Sequence, residues 1–195
     1  VKSLGLVLLC YIIGSIPFSY LFPRIFARVD VRSRGSGNVG ATNVFRTTGP
    51  LVAGLALGGD LFKGIIAAWI GNITGTNIMI IMCPAAAAIG HCYPVFLKFR
   101  GGKAVATSGG IVLFFMPKVG FILLALFGGI TLITRYVSLA SITVALFLPL
   151  LAMFMYQPAP YVVLCWILAV LVIYRHRENI IRLRAGTESK INDRA

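Results

Sequence analysis

Apolar residues come in long runs along this chain, separated by short breaks where glycine, arginine and asparagine gather. A helix needs about 20 apolar residues to cross a bilayer core, fewer where polar ends are tolerated. Seven runs meet that need: Leu4–Phe22, Leu51–Gly71, Ile78–Leu97, Ala104–Met116, Val119–Thr134, Val137–Met155 and Tyr161–Tyr174. The fourth and seventh are short and borrow from flanking polar residues. Read as one helix, Ala104 to Thr134 would be about 46 Å long, far more than the hydrocarbon core. The Pro117-Lys118 step therefore divides it into two. The first run is too long for a signal-peptide core and no small-residue cleavage site follows it, so it reads as a retained span. The pattern predicts an all-α fold, a multi-pass membrane helical bundle of seven transmembrane helices, forming a single domain over residues 1–195.

Composition agrees. Of 195 residues, 58% are hydrophobic and only 12% charged, against about a quarter charged in soluble domains. Mean hydropathy is +0.92. The net charge of +13 would suit nucleic acid in a soluble protein. In a membrane protein the positive-inside rule and anionic lipid account for it, and no nucleic-acid partner is expected.

The charges also orient the chain. With the tail after Tyr174 placed in the cytoplasm, one face holds Arg24, Arg28, Arg32, Arg34 and Arg46, then Lys98, Arg100 and Lys103, then Arg135. The tail adds Arg175, Arg177, Arg182, Arg184, Lys190 and Arg194. Only Lys2 and Lys118 fall outside, and Lys63 lies within a span. This predicts an outside N-terminus and a cytoplasmic C-terminus. Six spans would scatter the same charges over both faces.

The longest polar break, Ser33 to Gly49, reads SRGSGNVGATNVFRTTG. Glycines at 35, 37, 40 and 49 allow backbone N–H groups to turn toward one point, and such nests bind anions. Ser36, Asn38 and Asn43 add hydrogen-bonding groups. Arg46 adds a planar, permanent charge suited to phosphate. Gly35 to Gly40 also fits the dinucleotide pattern G-x-G-x-x-G, but a basic loop precedes it where that fold needs a buried strand. A plain flexible loop would explain the glycines and leave Arg46 and the asparagines unexplained.

Other candidates fall at the same level. Gly101-Gly102-Lys103 precedes the fourth span, where free N–H groups, helix dipole and lysine charge together favour an anion. Ser138 and Ser141 share a helical face just inside the sixth span; helix packing is the other use for such serines. His176, Arg177, Glu178 and Asn179 follow the seventh span, with His176 and Asn179 on one face. A histidine there suits the polarising of a hydroxyl. Deeper in the membrane, Asp60 and Lys63 stand three apart, either as a structural pair or as a substrate contact. His91 reads as an interhelical hydrogen bonder or a ligand.

Several chemistries are excluded. The carboxylates are Asp30, Asp60, Glu178, Glu188 and Asp193 alone, too few for a metal site or a serine triad. Of these only Glu178 is near enough in sequence to the candidates to serve as a base. An H-x4-D acyltransferase pattern fails, since Phe96 and Ile181 occupy the acid's position after His91 and His176. Cys10, Cys83, Cys92 and Cys165 lie in or beside apolar runs without C-x-x-C spacing, as buried reduced thiols do.

Taken together, GSGNVGATNVFRTTG (35–49), GHCYPVFLKFRGGKAVATSGG (90–110) and YRHRENIIRLRAGTESK (174–190), with GDLFKG (59–64) and RYVSLAS (135–141), are similar to the motifs of the bacterial membrane acyl-phosphate:glycerol-3-phosphate acyltransferases, the PlsY family. The resemblance spans nearly the whole chain in order. Ala104 stands where the family pattern leads one to expect a further glycine.

The resemblance implies transfer of a fatty acyl group from acyl phosphate to the 1-hydroxyl of glycerol 3-phosphate. Lysophosphatidate and phosphate would form, in the first acylation of phospholipid synthesis. It implies no cofactor and no metal, seven spans, and a site facing the cytoplasm from a bacterial inner membrane. Its catalytic set would be Ser36, Arg46, Lys103, Ser141, His176 and Asn179. Substrate contacts would come from Gly35, Gly37, Asn38, Gly40, Thr42, Asn43, Asp60, Lys63, His91, Gly101, Gly102, Ser138, Arg177 and Glu178. The partners are glycerol 3-phosphate, acyl phosphate and membrane lipid. With no dedicated protein base, a substrate phosphate oxygen is expected to take the proton. Gly109, Gly110, Gly128 and Gly129 would leave room for the acyl chain or pack helices closely. A transporter for a phosphorylated metabolite is the competing reading, but it would call for inverted repeats and midplane polar groups reachable from both sides, whereas the sequence shows no internal repeat and its polar set lies on one side. A structural lipid-binding subunit would have no need of Ser36, Asn38, Asn43 and His176.

Overall fold

A computed structural model describes residues 2–193. Among the described residues there are ten α-helices and no strand. The first apolar run forms two helices, α1 (Lys2–Ser15) and α2 (Phe18–Phe26). Pro17 separates them, because proline lacks the N–H that would continue the ladder. The glycine-rich break leads into a short helix, α3 (Ala41–Thr48). Gly49 then turns the chain at φ +87 into α4 (Pro50–Ile73), with Pro50 in the first turn, where a missing N–H costs nothing. The remaining runs give α5 (Asn77–Cys92), α6 (Val105–Phe115), α7 (Pro117–Thr134), α8 (Val137–Phe154) and α9 (Ala159–Arg175). A final helix, α10 (Arg177–Arg184), is bent by 56° from α9.

Five segments are long and apolar enough to cross a membrane: Ser3–Phe26, Pro50–Ile73, Asn77–Leu97, Pro117–Thr134 and Val137–Phe154. The bent pair α9–α10 makes a sixth. The pattern of apolar runs counts seven, and the difference lies in α6. Its 11 residues reach about 16 Å, roughly half the hydrocarbon core. Outward faces are apolar, with Leu132, Ile133 and Phe154 each about four-fifths exposed, as lipid-facing side chains are. Arg194, assigned above to the basic tail, lies outside the described residues.

Small residues let the helices meet. A methyl group at Gly64 or Gly110 would collide with backbone carbonyls of Thr107 and Leu61, so α4 and α6 pack backbone to backbone. Gly14 and Gly90 do the same for α1 and α5. This is how helices associate in lipid, where burial of apolar surface gives no net drive. Gly110 is thus a packing residue, whereas Gly128 and Gly129 face open space.

One ionic cluster holds the bundle at depth. Lys63 Nζ lies 2.8 Å from Asp60 Oδ1 and donates to the Ile16 carbonyl at 2.9 Å. That carbonyl sits at the α1–α2 break. Ser19 Oγ donates to Asp60 Oδ2 at 2.7 Å, and His91 Nδ1 lies 3.4 Å from Asp60 Oδ1. Fully buried charges persist only when paired in this way.

Candidate active site

Two cavities lie at the end of the bundle that carries the polar motifs. The larger, of about 750 Å³, takes residues from the glycine-rich loop, from each of α3 to α10 and from the tail beyond. Ser36, Lys103 and His176, far apart in sequence, all line it.

The glycine-rich loop is folded by Asn43. Its Oδ1 accepts from the Ser36 N–H at 3.0 Å, and its Nδ2 donates to the carbonyls of Val31, Arg34 and Asn38 at 2.8–3.1 Å. The N–H groups of Gly37 and Gly40 bond to Arg34 and Asn38 carbonyls within the loop. A nest of free amides is therefore not what this loop offers. It presents side chains instead: Ser36, Asn38, Thr42 and Arg46 reach the cavity wall. Gly35, exposed at φ +56, serves the turn. Arg46 Nη2 donates to the carbonyls of Ser189 and Lys190, both at 2.9 Å.

The Gly101-Gly102 pair is likewise closed on itself. Its N–H groups donate to the carbonyls of Cys92 and His91, each at 3.1 Å. Arg175 in turn donates to both glycine carbonyls, at 3.0 and 3.1 Å, and its guanidinium lies 5.0 Å from the centre of the Tyr93 ring. Both glycines line only the smaller cavity, together with Lys63, while Asp60 and His91 border both. This corrects the expectation of an amide anion site: Lys103 is the member of the motif that faces the large cavity.

Lys103 Nζ donates to Asn179 Oδ1. Asn179 Nδ2 donates to Glu188 Oε1 at 2.6 Å, and Arg182 Nε donates to Glu188 Oε2 at 2.7 Å. Burial, with the charges of Arg182 and Arg175, brings the Lys103 ammonium down to about 8. Burial pushes the Glu188 carboxyl up, but the donors around it, Asn179 first, outweigh this and leave it below the usual range.

His176 stands past the end of α9, with Nδ1 2.8 Å from the Val172 carbonyl. A carbonyl only accepts, so Nδ1 carries the proton and Nε2 keeps its lone pair. Burial, and then the Lys103 charge, push this ring down to about 4, so it is neutral. On α8, Ser141 Oγ donates back to Val137 O at 2.8 Å, while Ser138 Oγ is buried without a partner. Both serines line the cavity.

Sequence reasoning passed over Glu188, Arg182, Arg175 and Ser189. Among the carboxylates the sequence singles out Glu178 and gives Glu188 no role. In the structure Glu178 is largely exposed at the rim, whereas the Glu188 side chain is 7% exposed and reaches inside. Gly186, at φ +70, turns the chain back after α10. A glycine just after a helix whose last turn carries Arg182 and Arg184 was the available signal. Arg177 lies outside the cavity with its guanidinium over the Tyr174 ring.

Away from this polar end the cavity continues as an apolar arm between α6, α7, α8 and α9. Gly109, Val112 and Leu113 line it from α6, Leu123 and Phe127 from α7, Ala145 and Leu148 from α8, and Leu168 and Val172 from α9.

Comparison with known proteins gives one answer. The family described as glycerol-3-phosphate acyltransferase matches residues 4–186. A glycerol-3-phosphate acyltransferase of Syntrophomonas wolfei is 59% identical over 194 residues, covering 100% of both chains. One from Carboxydothermus hydrogenoformans is 43% identical, covering 96% of this chain and 95% of that one. The crystal structure of PlsY, an integral membrane glycerol 3-phosphate acyltransferase, in its glycerol 3-phosphate form superposes with a TM-score of 0.92 at 39% identity, covering 97% of this chain and 96% of that one. Its lysophosphatidic acid form gives 0.91 at 38% identity, covering 97% and 95%. The cavity with its polar end and apolar arm thus sits in a chain that belongs to the glycerol-3-phosphate acyltransferase family of integral membrane proteins.

Proposed function

We propose that this chain transfers a fatty acyl group from acyl phosphate to the 1-hydroxyl of glycerol 3-phosphate, in a bacterial cell membrane, with its site open to the cytoplasm. The observation that carries the donor assignment is the single cavity joining a cationic end to an apolar arm. An acyl phosphate has that shape and charge: an anionic head on a hydrocarbon chain.

Arg46, Lys103 and Arg182 supply positive charge for two phosphates. Ser36, Ser141 and Asn179 supply hydrogen bonds, with Ser138 as a second hydroxyl. The 1-hydroxyl oxygen attacks the acyl carbonyl carbon, the bond from that carbon to the phosphate oxygen breaks, and inorganic phosphate leaves. Acyl phosphate is an activated anhydride, so the main tasks are to hold two anions together and align the hydroxyl. The hydroxyl proton goes to a phosphate oxygen of a substrate. Two features support this. His176 is held at about 4, a weak base at neutral pH, and Glu188 is engaged by Asn179 and Arg182. His176 Nε2 orients the hydroxyl rather than removing its proton.

The test is lysophosphatidate formation by purified protein given labelled glycerol 3-phosphate with either acyl phosphate or an acyl thioester as donor, with phosphate release followed for the first. Product from acyl phosphate alone is the expected result; equal product from the thioester overturns the assignment. The charge distribution supports seven crossings, with α6 completed by its polar flanks, an outside N-terminus and a cytoplasmic C-terminus. Impermeant labelling of single cysteines placed at positions 75 and 187 checks it, since only position 75 should react from outside.

A further inference from the structure

The apolar arm has a definite depth. From Val105 to Leu113 is eight residues of α6 and from Ser138 to Leu148 ten of α8, so the arm runs about 12–15 Å from the polar end. That is one leaflet of a hydrocarbon core about 30 Å thick. Its far end is closed by the turn from α6 into α7, where Met116 and Val119 are 2% and 0% exposed. Leu113 and Gly120 face each other just inside that turn, and both line the cavity.

Their contact is tight. A Cβ at Gly120 would lie 2.7 Å from Leu113 Cδ2 and 3.2 Å from its Cγ. The absent side chain at position 120 is what lets Leu113 lie back against α7. Any larger residue there drives Leu113 forward into the arm. Further up, Gly109 imposes no such limit, since a Cβ there would make an ordinary 3.4 Å contact with Leu61. Gly120 thus sets how far Leu113 stands into the arm.

We propose that the Leu113–Gly120 contact is a chain-length gauge, which sets the longest acyl group that the arm takes in without bending. The proposal rests on the acyl-phosphate reading above. One flank of the arm, at Leu57 and Leu124, is exposed to lipid. A chain enters there, and the gauge requires that it then lies along the arm toward Leu113 rather than leaving by the same flank.

The experiment measures kcat/KM for acyl phosphates of graded chain length, at saturating glycerol 3-phosphate, by phosphate release. Leu113→Ala makes room for about three methylene-sized groups and is expected to move the optimum to longer chains. Gly120→Val is expected to move it to shorter ones, with about a fourfold loss for each methylene that no longer fits. KM for glycerol 3-phosphate should stay unchanged in both. Leu113→Ala alone decides the matter if Gly120→Val does not fold. A length profile parallel to that of the unsubstituted protein overturns the gauge and means that the chain exits through the flank. Should the unsubstituted protein release no phosphate from any chain length, the donor assignment falls and the gauge with it.

Discussion

Asn179 is bonded on both sides, receiving the Lys103 ammonium at its carbonyl oxygen and donating to Glu188 Oε1 at 2.6 Å through its amide nitrogen. An amide held at both ends cannot flip, so one carboxylate from the tail fixes how Lys103 points. Glu188→Ala removes that restraint and leaves Arg182 unpaired. Charge-assisted hydrogen bonds contribute about 1.5–3 kcal/mol each. We therefore expect kcat/KM for glycerol 3-phosphate to fall at least about tenfold. Glu188→Gln keeps an acceptor for Asn179 and should fall less. Steady-state kinetics on both variants check the order.

Lys103 should give the reaction an alkaline limb. A lysine brought down to about 8 is charged below that pH and loses its charge as pH rises through it. An unshifted lysine would lose it only near 10.4. The profile of kcat/KM, which reports the free enzyme, is expected to decline from about pH 8. In Lys103→Arg the decline should vanish from that region.

His176 predicts a missing limb. Because the ring is held at about 4, it should add no acid limb of its own between pH 5.5 and 7.5; a fall near pH 6 belongs to the substrate phosphates, whose second ionisation lies at about 6. His176→Ala should lose about 100-fold or more in kcat through lost orientation, again without a new acid limb. A limb near pH 6.5 that disappears in His176→Ala would show that the histidine is an essential base.

Ala104 holds φ +59 at the start of α6, in the left-handed region that costs a residue with a Cβ about 1–2 kcal/mol. Here the structure supplies the reason for expecting glycine at this position. Ala104→Gly should raise the thermal midpoint in detergent by a few degrees, the lost methyl contact offsetting part of the gain. The Lys103 alkaline limb should not move.

The buried pair should behave as a unit. Asp60→Asn or Lys63→Met alone leaves one charge without its partner, at a cost of about 3–5 kcal/mol. The double variant should be more stable than the sum of the two losses allows. Thermal unfolding of all three in detergent tests this.

Much of this was legible beforehand. Apolar runs located every long helix, because crossing a membrane imposes a minimum length that composition must meet. Ser36, Arg46, Lys103 and His176 were picked out because polar residues at such positions are otherwise hard to place. What the residues hid was how backbone groups are spent. The glycine amides at 37, 40, 101 and 102 looked free, yet each bonds to a nearby carbonyl. Glycine frequency reports conformational freedom and says nothing of where an N–H ends up. Glu188 was hidden for a related reason: its place depends on the turn at Gly186, and a tail has no periodicity from which to read a direction.

The Arg46 guanidinium grips the carbonyls of Ser189 and Lys190, 143 and 144 positions further along. The rim of the reaction chamber is therefore a late product of biosynthesis. The helices alone leave the chamber open on that side, and the wall closes only where Ser189 and Lys190 meet Arg46.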